Sequence, residues 1–213
     1  MRILQLDDPN SKRRLLGPQR LLGRVVRAPL RLLRASAAIP ILQGPGRGLK
    51  WIIGSYNHSC WLGFYEYEKQ VVLPTIIRAG DAVYDIGAHV GYFTLIFAKL
   101  VGPTGRVVAF EPFERNYDFL RRHVELNHLL NVTAVQAGVS ATTGVVHFED
   151  SDHSAKGRRS DDGRYSFPVY NLFEYIAQHE LPIPDLIKMD IEGEEASVVP
   201  AIMNHCVAHK IKL

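Results

Sequence analysis

The chain has 213 residues, 46% of them hydrophobic and 22% charged. That suits one folded domain with a real core and excludes a disordered chain. Its net charge of +3 is uneven: residues 1–65 carry 11 Lys/Arg against two Asp and the remainder 14 against 20, so a nucleic-acid-binding core is not expected.

No apolar run reaches the roughly 18 residues that cross a bilayer. No apolar core of a secretory signal stands near Met1 either. The two cysteines, Cys60 and Cys206, are too few for a disulfide framework or a cysteine metal site, so a cytoplasmic setting is expected.

In chain order, residues 1–60 read as a basic extension and 61–213 as the domain. Arg20, Arg24, Arg27, Arg31 and Arg34 recur every three or four residues and share one helical face; Pro29 breaks or kinks that helix. The stretch 12–34 is either a helix or arm lying on the acidic remainder, or a basic amphipathic segment in peripheral contact with an anionic membrane. Gly44 to Gly48 marks a turn, and Trp51–Ile53 suggests a strand. A helix is expected over 62–77. Strands at Ala82–Ile86, Arg106–Phe110, Asn131–Val135 and Leu186–Met189 then alternate with helices at Tyr92–Leu100, Phe113–Asn127, Asn171–His179 and Glu194–Met203. Val145–Phe148 adds a further strand, and 149–166 is polar and loop-like. The alternation predicts an α/β fold, a parallel sheet covered on both faces.

Three strand ends carry chemistry. Asp85, Gly87 and Gly91 form a turn running straight into a helix, where glycine lets a ligand approach the backbone. The spacing is Gly-x-x-x-Gly, not the Gly-x-Gly-x-x-Gly of dinucleotide sites. An acid at Asp85 suits a cationic ligand such as S-adenosylmethionine and would repel the pyrophosphate of NAD. Glu111, 20 residues past Gly91, ends the second strand and suits both ribose hydroxyls. Asp190 and Glu192 follow the fourth strand. They either orient an acceptor or take its proton, or they cap the next helix. Two acids do not define a metal site. His205 and His209, one turn apart around Cys206, lack a third ligand and read as packing or surface residues.

YDIGAHVGYFTL (Tyr84–Leu95), VVAFEP (Val107–Pro112) and LIKMDIEGEE (Leu186–Glu195) resemble, in order and separation, the three main blocks of the FkbM family of methyltransferases. Asn116, Leu120 and Asn127 resemble its helix after the second strand, and Leu62–Glu66 its opening segment. The resemblance implies a Rossmann-like class I methyltransferase sheet. It also implies methyl transfer from S-adenosylmethionine, usually to a hydroxyl on a sugar or natural product. Asp85, Gly87 and Gly91 would then hold the methionine end and Glu111 the ribose, with Gln136 and Ala137 bordering the adenine. The chain departs from the family at His89, commonly Asn, and at Leu172-Phe173, commonly Leu-Asp. Lys210–Leu213 opens a fifth strand, and the family continues beyond it, so a C-terminally truncated domain is expected. The alternatives are an NAD(P)-dependent oxidoreductase and a cofactor-binding domain without catalysis.

Overall fold

The computed structural model describes residues 34–149, 158–159, 165–191 and 195–213. The arginine stripe up to residue 33 and Glu192 lie outside them. A hairpin of β1 (Ala38–Pro40) and β2 (Lys50–Ile52) leads to a 3-10 turn at Ile53–Ser55, then to α1 (Ser59–Leu62) and α2 (Tyr67–Ile76). Next come β3 (Ala82–Ile86), α3 (Tyr92–Val101), β4 (Arg106–Phe110), α4 (Glu114–Leu126) and β5 (Val132–Val135). Four more strands follow: β6 (Gly138–Val139), β7 (Gly144–Glu149), β8 (Arg158–Arg159) and β9 (Tyr165–Tyr170). The chain ends with α5 (Leu172–Gln178), β10 (Leu186–Met189) and α6 (Glu195–His209).

The central sheet is parallel with order β10-β3-β4-β5. Its fold is the α/β class expected from the alternation, and it is Rossmann-like, as the family resemblance implies. Every residue of β3 is buried, as a strand covered on both faces requires. Side chains alternate between two cores. Val83, Val107 and Leu186 join Leu95, Ile96 and Phe97 of α3 on one face. Tyr84, Ile86, Val108 and Ile187 join Leu172 of α5 and Ile202 of α6 on the other. Helix α3 is buried almost all round, so its sequence shows little polar face. After β3 the strands step one way to β5, while β10 lies on the other side of β3. The order therefore reverses between β3 and β10, where open α/β sheets leave a crevice. Beyond β10, Lys212 makes one parallel bridge to Leu186.

Two expectations change. The helix over 62–77 splits in two, because Gly63 caps α1 with φ 78° and Glu66 opens α2 at φ 45°. Part of the stretch read as loop belongs to a second sheet, order β6-β9-β7-β8, beside the carboxyl ends of the main strands. Ile41, Trp51 and Cys60 share the buried cluster of α3, so packing reaches back into the residues read as extension.

His123 of α4 makes that attachment. Its Nδ1 lies 2.8 Å from the Val90 carbonyl, and its Nε2 accepts from the Ile52 N–H at 3.0 Å. An accepting Nε2 puts the proton on Nδ1, so the ring is neutral. Burial, helped by the nearby Arg122, pushes its pKa down to about 4. Trp51 stacks on the ring at 4.1 Å.

Candidate active site

The glycine turn after β3 hooks over the end of β4: Gly87 and Ala88 both donate their N–H to the Phe110 carbonyl. Gly87 has φ +73°, and a Cβ there would lie 2.0 Å from the Asp190 carbonyl oxygen. Glycine lets the turn sit flush on the tip of β10. Gly91, at φ +88°, starts α3 where a Cβ would come 2.7 Å from Leu120 Cδ1. Its role is close packing against α4, away from the crevice wall.

The crevice opens at the carboxyl ends of β3, β4 and β10. Its floor is Gly87, His89, Phe110 and Glu111. Asp190 and Ile191 border it beyond β10. From the second sheet, Gly138, Val139, Val146, Phe167 and Val169 form an apolar wall with Phe113, and Ser140 lies beside it. Tyr56 and Tyr65, from the N-terminal part of the domain, stand at its rim. Tyr56 meets His89 edge-on at 4.6 Å.

Glu111 is buried yet faces this space. Its Oε2 accepts from the His89 N–H at 2.7 Å. Its Oε1 accepts from the Phe113 N–H at 3.1 Å and from Asn116 Nδ2 at 3.3 Å. Burial raises its pKa to about 7 against the opposing pull of these donors, so desolvation outweighs the hydrogen bonds. Asp190 differs: its side chain is 49% exposed, and its ion-pair partner Lys188 lies 3.9 Å away.

Asp85 does not line the crevice. It is fully buried, with Oδ2 accepting from the Thr94 hydroxyl at 2.6 Å and Oδ1 3.2 Å from the Lys188 ammonium. The cation beside it belongs to the chain itself. Gln136 is exposed and Ala137 buried, and neither lines the crevice. The chain turns tightly there, with Ala137 N–H donating to the Val135 carbonyl, and sends the next three residues along the wall. His205 lies far down α6, stacked on Phe173 at 4.0 Å.

Lys188, Asn116, Tyr56, Tyr65 and Phe167 are additions to the residues expected from sequence. Asn116 stood in the helix block, but nothing in its spacing shows that it reaches Glu111. The pairing of Lys188 with Asp85 follows from the register of β3 against β10, where the two are direct neighbours.

Among the described residues no helix is long and apolar enough to cross a membrane. Residues 85–206 match the family model of the methyltransferase FkbM domain. The chain is similar to a hexuronic acid methyltransferase, AglP, of Haloferax volcanii, at 27% identity over 126 residues, 58% of this chain and 51% of that protein. It is also similar to the methyltransferase sdnD of Sordaria araneosa, at 38% identity over 155 residues, 56% of this chain and 60% of that one. The chain thus spans about half to three fifths of the length of these curated relatives. A solved precorrin-6y C5,15-methyltransferase from Geobacter metallireducens aligns with a TM-score of 0.40 at 18% identity, covering 63% of this chain and 53% of that one. The matched span runs from the glycine turn into the last helix and takes in more than half of the chain, which therefore belongs to the FkbM family of methyltransferases.

Proposed function

We propose that this crevice transfers a methyl group from S-adenosylmethionine to a hydroxyl of a sugar or natural-product acceptor. One observation carries the reading. Two carboxylates, Glu111 and Asp190, stand at the tips of strands on either side of the glycine turn, around a single crevice at the point where the strand order reverses.

The residues suit this donor. A carboxylate has about four lone-pair sites; Glu111 uses three on the scaffold and faces the crevice, as a ribose partner needs. The wall of Phe113, Phe167, Val139 and Val146 suits a flat apolar-faced base. It takes the adenine role that Gln136 and Ala137 hold in the sequence reading. A pyrophosphate would meet the carboxylates of Glu111 and Asp190, which weighs against a dinucleotide. Gly87 and Gly91 set the turn for the methionine end, and Asp85 acts on that turn from beneath.

When bound, S-adenosylmethionine supplies an electrophilic methyl on a sulfonium. The protein's own task is alignment of nucleophile with that carbon. Asp190, half exposed at the rim, orients an acceptor hydroxyl and accepts its proton; Glu192 shares this proposed role. The sugar class is supported by the likeness to the hexuronic acid methyltransferase. The stretch 12–34 remains proposed as a peripheral contact with anionic membrane.

Calorimetry with S-adenosylmethionine, its demethylated product and NAD tests the donor. The first two are expected to bind and NAD not; binding of NAD alone would overturn the reading. Mass spectrometry of cell extract treated with protein and labelled donor identifies the acceptor.

A further inference from the structure

Lys188 and Asp85 face each other across neighbouring parallel strands. Asp85 is 0% exposed. Among the described residues its Oδ1 has no hydrogen bond, and the Lys188 ammonium at 3.2 Å is its counter-charge. A buried carboxylate needs such a partner. Lys188 does more than neutralise it. Its Nζ also donates to the Gly87 carbonyl at 3.0 Å and lies 3.9 Å from Asp190 Oδ2. The Phe93 ring, with its centroid 5.9 Å from Nζ, flanks the ammonium.

The same joint is locked by backbone. The Asp190 N–H donates to the Ile86 carbonyl at 3.0 Å, and the Asp190 carbonyl fills the place of a Cβ on Gly87. One ammonium therefore touches the buried acid of β3 and the turn that borders the crevice, and its third direction points to the acid at the rim. Among the described residues Lys188 makes no hydrogen bond to Glu111 or to the apolar wall, and it acts on Glu111 only through its charge, as the smallest of the influences on that carboxyl.

We propose that Lys188 is a positioning residue for the amino-acid end of the methyl donor. It holds the Gly87 turn and the Asp85 charge in one arrangement, so that the zwitterionic end of S-adenosylmethionine meets a fixed shape and a balanced charge. The adenosine end depends instead on Glu111 and the apolar wall. This assignment rests on the proposal that the crevice binds S-adenosylmethionine.

Two nucleosides separate the ends. S-Adenosylhomocysteine carries the amino-acid end; 5′-methylthioadenosine keeps adenosine and thioether but lacks it. Affinities of the full chain for both are measured by calorimetry in wild type, Lys188→Met, the double variant Asp85→Asn/Lys188→Met, and Glu111→Ala. Lys188→Met is expected to weaken S-adenosylhomocysteine by about tenfold or more and to leave methylthioadenosine within about twofold, the loss of a charge-assisted contact network being confined to one end. The double variant strands no buried charge. It is expected to unfold as cooperatively as wild type and to show the same selective loss. Glu111→Ala is expected to weaken both ligands. Equal loss of both nucleosides in the lysine variants, as general damage to the fold would give, overturns the assignment, as does unchanged S-adenosylhomocysteine affinity. Wild-type protein that binds neither nucleoside removes the crevice reading itself, and this inference with it.

Discussion

The tips of β4 and β10 both present a carboxylate to one crevice, yet the two are built differently. Glu111 is buried and pinned by two backbone N–H groups and Asn116. Asp190 is half exposed, with an ion-pair partner only at 3.9 Å. A group fixed before its ligand arrives suits a ligand that never changes, since little ordering cost remains at binding. A loosely held acid suits an acceptor whose shape varies. Glu111 at the tip of β4 therefore suits the donor of the proposed reaction, and Asp190 at the tip of β10 suits its acceptor.

The sharpest way to break this comparison is at the joint the two tips share. Gly87→Ala places a Cβ 2.0 Å from the Asp190 carbonyl, in a backbone conformation that alanine resists. Backbone cannot step aside as a side chain can, so a loss of more than about 3 kcal/mol is expected. Gly91→Ala meets the movable Leu120 Cδ1 at 2.7 Å and is expected to lose less. Thermal unfolding of both variants checks the order. If Gly87→Ala unfolds at the wild-type temperature, the two tips are not interlocked.

Glu111 comes next. A hydrogen bond to a charged group contributes roughly 1.5–3 kcal/mol, so Glu111→Ala is expected to weaken donor binding about ten- to a hundredfold. The raised pKa adds a sign. Because burial lifts Glu111 to about 7 from 4.5, the folded state holds its proton more tightly than the unfolded chain. Its contribution to stability is present below pH 4.5 and is lost as pH rises through 7. Ribose hydroxyls favour the charged form, so donor affinity should rise with pH across that window, with release of up to one proton. Calorimetry in buffers of different ionisation heat would show the release in wild type and none in Glu111→Gln. The same variant should be at least as stable as wild type at pH 8.

His123 titrates with the opposite sign. Its pKa is lowered to about 4 from 6.5, so the unfolded chain binds the proton more readily. The stability it contributes is full above pH 6.5 and is lost as pH falls towards 4. His123→Gln should flatten that part of the stability–pH curve. It should also cost about 1–3 kcal/mol at neutral pH, because the Ile52 N–H loses a buried partner. Chemical denaturation between pH 4 and 8 measures both. A curve unchanged in shape would mean that His123 is not the neutral clip joining β2 to the glycine turn.

The two sides also differ in how far they could be read from sequence. On the donor side, a short apolar run, a glycine turn and an acid at the end of the next strand are local patterns. β3 and β4 and the position of Glu111 follow from them. The walls depend on contacts between distant segments. Phe167 reaches the crevice on β9, whose partner β7 lies on the far side of a polar stretch with no periodicity. Tyr56 and Tyr65 precede the glycine turn and arrive there because β2 is fastened to α4 through His123 and through Asn127, which pairs with the backbone of Lys50. Gln136 and Ala137 stood at the right strand end, but a single tight turn displaces the wall by one to three residues. Asp85 was legible as an acid that needs a cation. That the cation is Lys188, 103 residues later, depends on strand register, which no local pattern specifies.

The smallest effect on stability and donor binding belongs to Asp190→Asn. Half-exposed ion pairs are worth about 0–1 kcal/mol, and the 3.9 Å separation from Lys188 places this one at the weak end. Lys188 keeps Asp85 at 3.2 Å and the Gly87 carbonyl at 3.0 Å, so the joint survives the change. Melting temperature and affinity for S-adenosylhomocysteine should both stay near wild type, the affinity within about threefold. With an acceptor in hand, turnover should fall by about a hundredfold or more, as loss of a proton acceptor does, while donor affinity does not follow. A drop in donor affinity comparable to that of Glu111→Ala would place Asp190 on the donor side and erase the division between the two tips. Unchanged turnover with unchanged affinity would leave Asp190 a rim residue and shift the proton to Glu192.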